Sequence, residues 1–166
     1  MHPEAHTGFG WALASTRIDP RAPWRVLDVG GQDVNGTAHD HLPAATVTTL
    51  DLERADIIAD ATTWQPDRLF DVVIATELFE HVPDWPAVVA TMRAALDPDG
   101  PGVLVATCAS TDRRPHGATG ARWPAEGEHY SNVDPLDLAD TLGGLFRVCG
   151  VRYQFPPGDA YAWALT

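Results

Sequence analysis

The sequence predicts an α/β architecture: a doubly wound, mostly parallel sheet with an antiparallel hairpin strand at its C-terminal end. Three observations carry that expectation. Short apolar runs alternate with helical patterns along most of the chain, the rhythm of a parallel sheet joined by crossovers. The first run, Val26 to Val29, leads directly into the glycine turn Gly30-Gly31. The last two runs are separated only by Pro156-Pro157-Gly158-Asp159, which is too short for a crossover and therefore implies antiparallel pairing.

Taken in order, residues 7–16 have the composition of a short entry helix weakened by Gly8 and Gly10. Residues 24–29 form a buried strand, followed by a turn over 30–36. The next strand is 46–50, with Asp51 at its end, and a third, 57–59, ends at Asp60. The eight residues between Asp51 and Asp60 leave no room for a helix. The apolar run 70–75 suits a strand buried on both faces. Asp84 then caps a helix that carries Pro86 in its first turn, reaches Leu96 and stops at Asp97-Pro98-Asp99-Gly100. A short strand, 103–106, precedes a loop over 109–133 that shows neither helical nor strand period. Asp134 and Pro135 open a last helix that Gly143-Gly144 is expected to end, and runs 146–155 and 160–165 make the hairpin.

Length and composition bound the function. At 166 residues the chain fits one domain with one core. We divide it into an entry segment, 1–23, able to act as a lid through Phe9 and Trp11, and a single domain, 24–166. The formal charge of −12 repels phosphate backbones and argues against nucleic acid as a partner. Every basic residue other than histidine is arginine, so a P-loop lysine, a lysine base and Schiff-base chemistry are all excluded. Cys108 and Cys149 lie in apolar runs without metal or redox spacing and read as core residues. No signal-peptide pattern opens the chain, and no apolar stretch approaches the ~18 residues of a membrane span. A cytoplasmic location without membrane contact is the expectation.

In an open parallel sheet, ligands bind outside the carboxyl ends of the strands. Those ends carry Asp28 with Gly30 and Gly31, then Asp51, Asp60, and Thr76 with Glu77. A carboxylate after the second strand suits a ribose, whose two vicinal hydroxyls can each donate to one oxygen. The glycine turn does not read GxGxxG and has no basic residue beside it, which leaves little to hold a pyrophosphate and argues against a nicotinamide-dependent reductase. Carboxylates suit a nucleoside whose other end is cationic.

The segments VLDVGG at 26–31, LDLE at 50–53, ADAT at 59–62, FDVVIATELFEHV at 70–82 and DPDGPGVLVAT at 97–107 together resemble the class I S-adenosylmethionine-dependent methyltransferases, in a short form acting on small molecules. The resemblance spans about residues 24–166 and implies a Rossmann-like sheet with S-adenosyl-L-methionine as cofactor. It implies that Asp28, Gly30 and Gly31 cradle the methionine part, that Asp51 holds the ribose hydroxyls and that Leu52 packs on adenine. Asp60 and the backbone of Ala61 would meet the adenine edge, while Thr76 and Glu77 line the methionine pocket. The chain departs from the family where Gln32 and Val34 replace two glycines of the turn, and where the helix between the second and third strands is missing. A partner subunit, as in a homo-oligomer, is one way to cover the sheet there.

Within the long loop, His129 and Tyr130 are the candidate general bases for a proton-bearing acceptor, and Arg113, Arg114 and Arg122 are candidate contacts for an anionic one. His81 reads as structural, and His39-Asp40-His41 as a surface turn, with no metal expected. Methyl transfer asks chiefly for an in-line approach to an already activated sulfonium, so no fixed catalytic residue is required. Two functions follow: methyl transfer to a small-molecule acceptor, or a non-catalytic module that binds the cofactor or its product.

Overall fold

The computed structural model describes residues 3–32 and 37–166. Helix α1 spans Pro3–Thr16, and strand β1 spans Arg25–Val29. A 3-10 turn at Ala38–Asp40 precedes β2, Thr46–Asp51, and β3, Ile57–Ile58. Then come β4, Val72–Thr76, a 3-10 turn at Phe79–His81, α2, Trp85–Ala95, and β5, Val103–Ala109. The chain ends with α3, Pro135–Leu145, β6, Val148–Gln154, and β7, Asp159–Leu165. Among the described residues the strands form one seven-stranded sheet in the order β3-β2-β1-β4-β5-β7-β6. The first five strands run parallel and β7 runs antiparallel to both its neighbours, so the Rossmann-like doubly wound expectation holds.

The alternation of side chains along each strand divides the core between two faces. Val26, Val72, Ile74, Val103 and Val105 meet Phe9, Ala12 and Leu13 of α1 on one face. Leu27, Val29, Val73, Leu104 and Ala106 meet Val88, Val89 and Met92 of α2, with Leu138 and Leu142 of α3, on the other. Both C-terminal-face helices start as read from the sequence. The Asp84 side chain accepts from the Ala87 N–H at 3.3 Å, and Asp134 accepts from the Leu136 N–H at 2.8 Å.

Several boundaries differ from the expectation, each for a local reason. The entry helix starts at Pro3, because proline is tolerated in a first turn that needs no backbone donor. Strand β5 continues to Ala109, since Thr107 to Ala109 pair with Tyr161 to Asp159. Gly143 and Gly144 lie inside α3 rather than ending it. Leu142 is buried and anchors the last turn, the Phe146 N–H donates to the Leu142 carbonyl at 2.9 Å, and Arg93 Nε donates to the Leu145 carbonyl at 3.3 Å. The antiparallel strand is one place in from the edge: β7 inserts between β5 and β6, leaving β6 outermost.

In this structure the helix of the entry segment is docked on the sheet. Phe9 is fully buried, and Trp11 packs against the same core with the Arg152 guanidinium 5.8 Å from its ring centroid. Gly8 explains how closely α1 sits on the sheet, because a Cβ there would overlap the buried Tyr161 ring. The Gly8→Ala variant is therefore expected to lose about 1–3 kcal/mol of stability by overpacking. A lowered urea midpoint with an unchanged slope checks this; an unchanged midpoint would mean that α1 is only loosely docked. The turn at 39–41 likewise faces inward at one end, where the His41 ring packs at a tilt against Phe9 with centroids 4.5 Å apart. Among the described residues, no helix is long and apolar enough to cross a membrane.

Candidate active site

The carboxyl ends of β1, β2, β3 and β4 open into two adjoining cavities that share Gly30, Asp51, Leu52, Leu78, His81 and Val82. The smaller, about 380 Å³, is walled by Leu50, Ala59, Ala61, Pro83 and Val88, with Asp60 and Asp84 at its rim. The larger, about 620 Å³, reaches over Gln32, Thr76 and Glu77 to Arg113, His116 and the loop 117–120. An apolar slot with carboxylates at its ends, continuous with a wider polar chamber, can hold a flat heterocycle and its sugar beside a second molecule.

Asp51 stands at the junction. Its Oδ1 accepts from the Leu52 N–H at 2.6 Å and from Gln32 Nε2 at 3.2 Å, while Oδ2 has no hydrogen bond among the described residues. Leu52 is 70% exposed, so its side chain offers an apolar surface at the cavity mouth. Asp60 accepts from the Thr62 N–H at 2.8 Å and the Thr62 hydroxyl at 2.7 Å, and these bonds hold its carboxyl below the usual range. The Ala61 N–H meets no acceptor among the described residues.

On the other side, Glu77 ends β4 in the left-handed region, at φ +54°, a conformation costly for a side chain with a Cβ and held here by tertiary bonds. Its N–H donates to the Thr107 carbonyl at 2.8 Å, and its Oε1 accepts from the Thr107 hydroxyl at 3.0 Å. Gly30 also has a positive φ, +74°, and a Cβ there would meet Leu78 at 2.9 Å and drive that side chain into the shared wall. Gly31 and Asp28 lie beneath the cavities and line neither. A Cβ on Gly31 would come within 2.8 Å of the Asp28 carbonyl. Asp28 is buried, its Oδ1 has no partner among the described residues, and burial followed by the charge of Asp51 pushes its pKa up to about 7. The expected altered path around Val34 lies outside the described residues.

The residues fit the cofactor named by the sequence. One Asp51 oxygen is open for a sugar hydroxyl, Asp60 and the Ala61 N–H offer an acceptor and a donor to a heterocycle edge, and Glu77 faces the chamber where a cation would sit.

The proposed bases fall elsewhere. His129 is exposed, and neither it nor Tyr130 lines either cavity. Tyr130 instead packs edge-on behind His81 and His116, at centroid distances of 5.5 and 5.1 Å, with its hydroxyl donating to the Arg114 carbonyl at 3.4 Å. Burial, reinforced by Glu80, pushes the phenol far above its ordinary range, which keeps it protonated, a hydrogen-bond donor and not a base. His81, which reads as structural in the sequence, and His116, a loop residue left there without a role, occupy the chamber wall. Of the three arginines, Arg113 reaches the chamber, and its guanidinium is held by the buried Asp159 at 3.0 Å. Glu80, fully buried behind that wall, was also missed. Its position three residues after Glu77 and beside His81, in a 3-10 turn, is the signal that was available.

A family profile described as "Methyltransferase domain" matches residues 11–145. No curated protein matches the sequence. Among solved structures, a DhpI-SAH complex is similar at a TM-score of 0.66 and 24% identity, covering 97% of this chain and 85% of that one. The Burkholderia thailandensis 1,6-didemethyltoxoflavin-N1-methyltransferase, with bound 1,6-didemethyltoxoflavin and S-adenosylhomocysteine, is similar at 0.69 and 16% identity, covering 99% and 78%. The plantazolicin methyltransferase BpumL in complex with SAH is similar at 0.66 and 9%, covering 96% and 82%. These likenesses establish the fold, and the profile, which covers most of the chain, establishes the family: the chain belongs to the methyltransferase-domain enzymes and has their class I, Rossmann-like architecture.

Proposed function

We propose that the protein transfers the methyl group of S-adenosyl-L-methionine to a small-molecule acceptor in the cytoplasm. The observation that carries this reading is the pair of cavities meeting at Gly30, Asp51 and His81, one shaped for a nucleoside and the other for a second reactant. The bound cofactor supplies an activated methyl on sulfur. The chain supplies the positions. Asp51 accepts from the ribose hydroxyls, Leu52 and Ala61 pack on adenine, and Asp60 with the Ala61 N–H reads its edge. Glu77, with Asp28 beneath, sets negative potential at the sulfonium and ammonium end.

The chamber carries Glu53, Glu77 and Glu128, and its cation Arg113 is already answered by Asp159. That balance favours a neutral or cationic acceptor over an anionic one. Two of the similar structures, the 1,6-didemethyltoxoflavin-N1-methyltransferase and the plantazolicin methyltransferase, support the small-molecule class. The unpaired Cys108 and Cys149 are in keeping with a reducing compartment. Incubation with methyl-labelled cofactor and a panel of small amines and alcohols should release S-adenosylhomocysteine in an acceptor-dependent manner. Tight product binding with no release across the panel would favour the non-catalytic module instead.

A further inference from the structure

Beside the acceptor chamber, three side chains from two segments converge without a direct bond joining them. Glu80 is fully buried, and neither of its oxygens closes a hydrogen bond of good geometry among the described residues. His116 Nε2 lies 3.8 Å from Oε1, which is too far for a hydrogen bond. His81 Nδ1 is buried and also without a partner among the described residues. One donor atom from each of Glu80, His81 and His116 lies within 4.8 Å of the others.

The outward nitrogen of the His116 ring is already engaged. His116 Nδ1 lies 3.4 Å from the Arg114 carbonyl, and the backbone of His129 lies near the His81 ring. A ring N–H given to a backbone carbonyl fixes the tautomer and leaves the second nitrogen's lone pair facing inward, which is the arrangement that accompanies histidine ligation of a metal. Tyr130, edge-on to both rings, holds them in place. A buried carboxylate facing two imidazole lone pairs is costly unless it takes up a proton or a cation lies between them.

We propose that Glu80, His81 and His116 bind a divalent transition-metal ion at the wall of the acceptor chamber. Two imidazoles and one carboxylate suit zinc or cobalt, and ligand bonds of about 2.0–2.2 Å require the three donors to draw together by roughly an ångström. The loop carrying His116 can supply that movement, because it has no regular secondary structure. Three protein ligands leave further positions open toward the chamber, where an oxygen-bearing acceptor would be held. That role rests on the methyl-transfer reading, whereas occupancy of the site does not.

The test is calorimetric titration of chelator-treated protein with zinc, repeated with cobalt while following visible absorption. One equivalent per chain is expected, with cobalt bands of low-symmetry nitrogen and oxygen ligation. His116→Ala, in an irregular loop, should weaken zinc at least tenfold, and Glu80→Gln should do the same if it folds. His6→Ala is the control, because His6 Nδ1 and His41 Nε2, 3.1 Å apart, are the rival pair. Absence of stoichiometric binding, undiminished binding in His116→Ala, or loss confined to His6→Ala would overturn the proposal. S-adenosylhomocysteine binding, measured on the same samples, separates the two readings: product binding without metal defeats only the metal site, and metal without product defeats only the cofactor assignment.

Discussion

Asp51→Ala is expected to bind S-adenosylhomocysteine about 10²–10⁴-fold more weakly than the wild type, by calorimetry on folded samples. Hydrogen bonds to a charged group contribute roughly 1.5–3 kcal/mol each, and two ribose hydroxyls lose their acceptor together. About 1.4 kcal/mol corresponds to tenfold in affinity. The substitution also releases Gln32 Nε2 and the Leu52 N–H, both now fixed by Oδ1, so the mouth of the slot loses its frame as well as its anion. Asp51→Asn keeps one acceptor oxygen and should fall between the two. Affinity within threefold of wild type in Asp51→Ala would remove the residue from the ribose site.

Asp28→Asn should change the pH dependence of stability. The native pKa is raised from 3.8 to about 7, first by burial and then by Asp51. A group whose pKa is raised on folding contributes stability that is fully present below its unfolded value and is lost as pH rises through the native one. Relative to Asp28→Asn, the wild type should therefore lose up to about 4 kcal/mol between pH ~4 and pH ~7, at about 1.4 kcal/mol per unit. Urea unfolding of both proteins across that window measures the difference, which cancels the acid sensitivity of Asp60, Asp71 and Asp97, whose native pKa values are lowered instead. Parallel curves would mean that Asp28 is hydrated. Because Asp51 contributes to the shift, Asp51→Ala should also narrow the window.

The strands and helix starts were legible because each is written locally. Apolar runs such as Val72 to Ala75 are buried on both faces, and Asp84 and Asp134 bond the first free amides of their helices. Asp51, Asp60, Thr76 and Glu77 were legible as cavity residues because a parallel sheet carries its strand ends to one edge. What was not legible depends on contacts between distant segments. Gly143 and Gly144 look like a stop, yet Leu142 packing and the Arg93 bond carry the helix past them. Phe9 looks like a free lid residue until Gly8 lets α1 press on Tyr161. His129 and Tyr130 were chosen from an aperiodic loop, where sequence alone does not say which side chain turns inward, and the fold turns His116 to the chamber instead.

The central claim is that the smaller cavity is a cofactor site, and its most direct test is calorimetric titration of the purified protein with S-adenosylhomocysteine beside NAD. One-to-one binding in the micromolar range by the first and none by the second is the predicted result; no binding of S-adenosylhomocysteine would contradict the account.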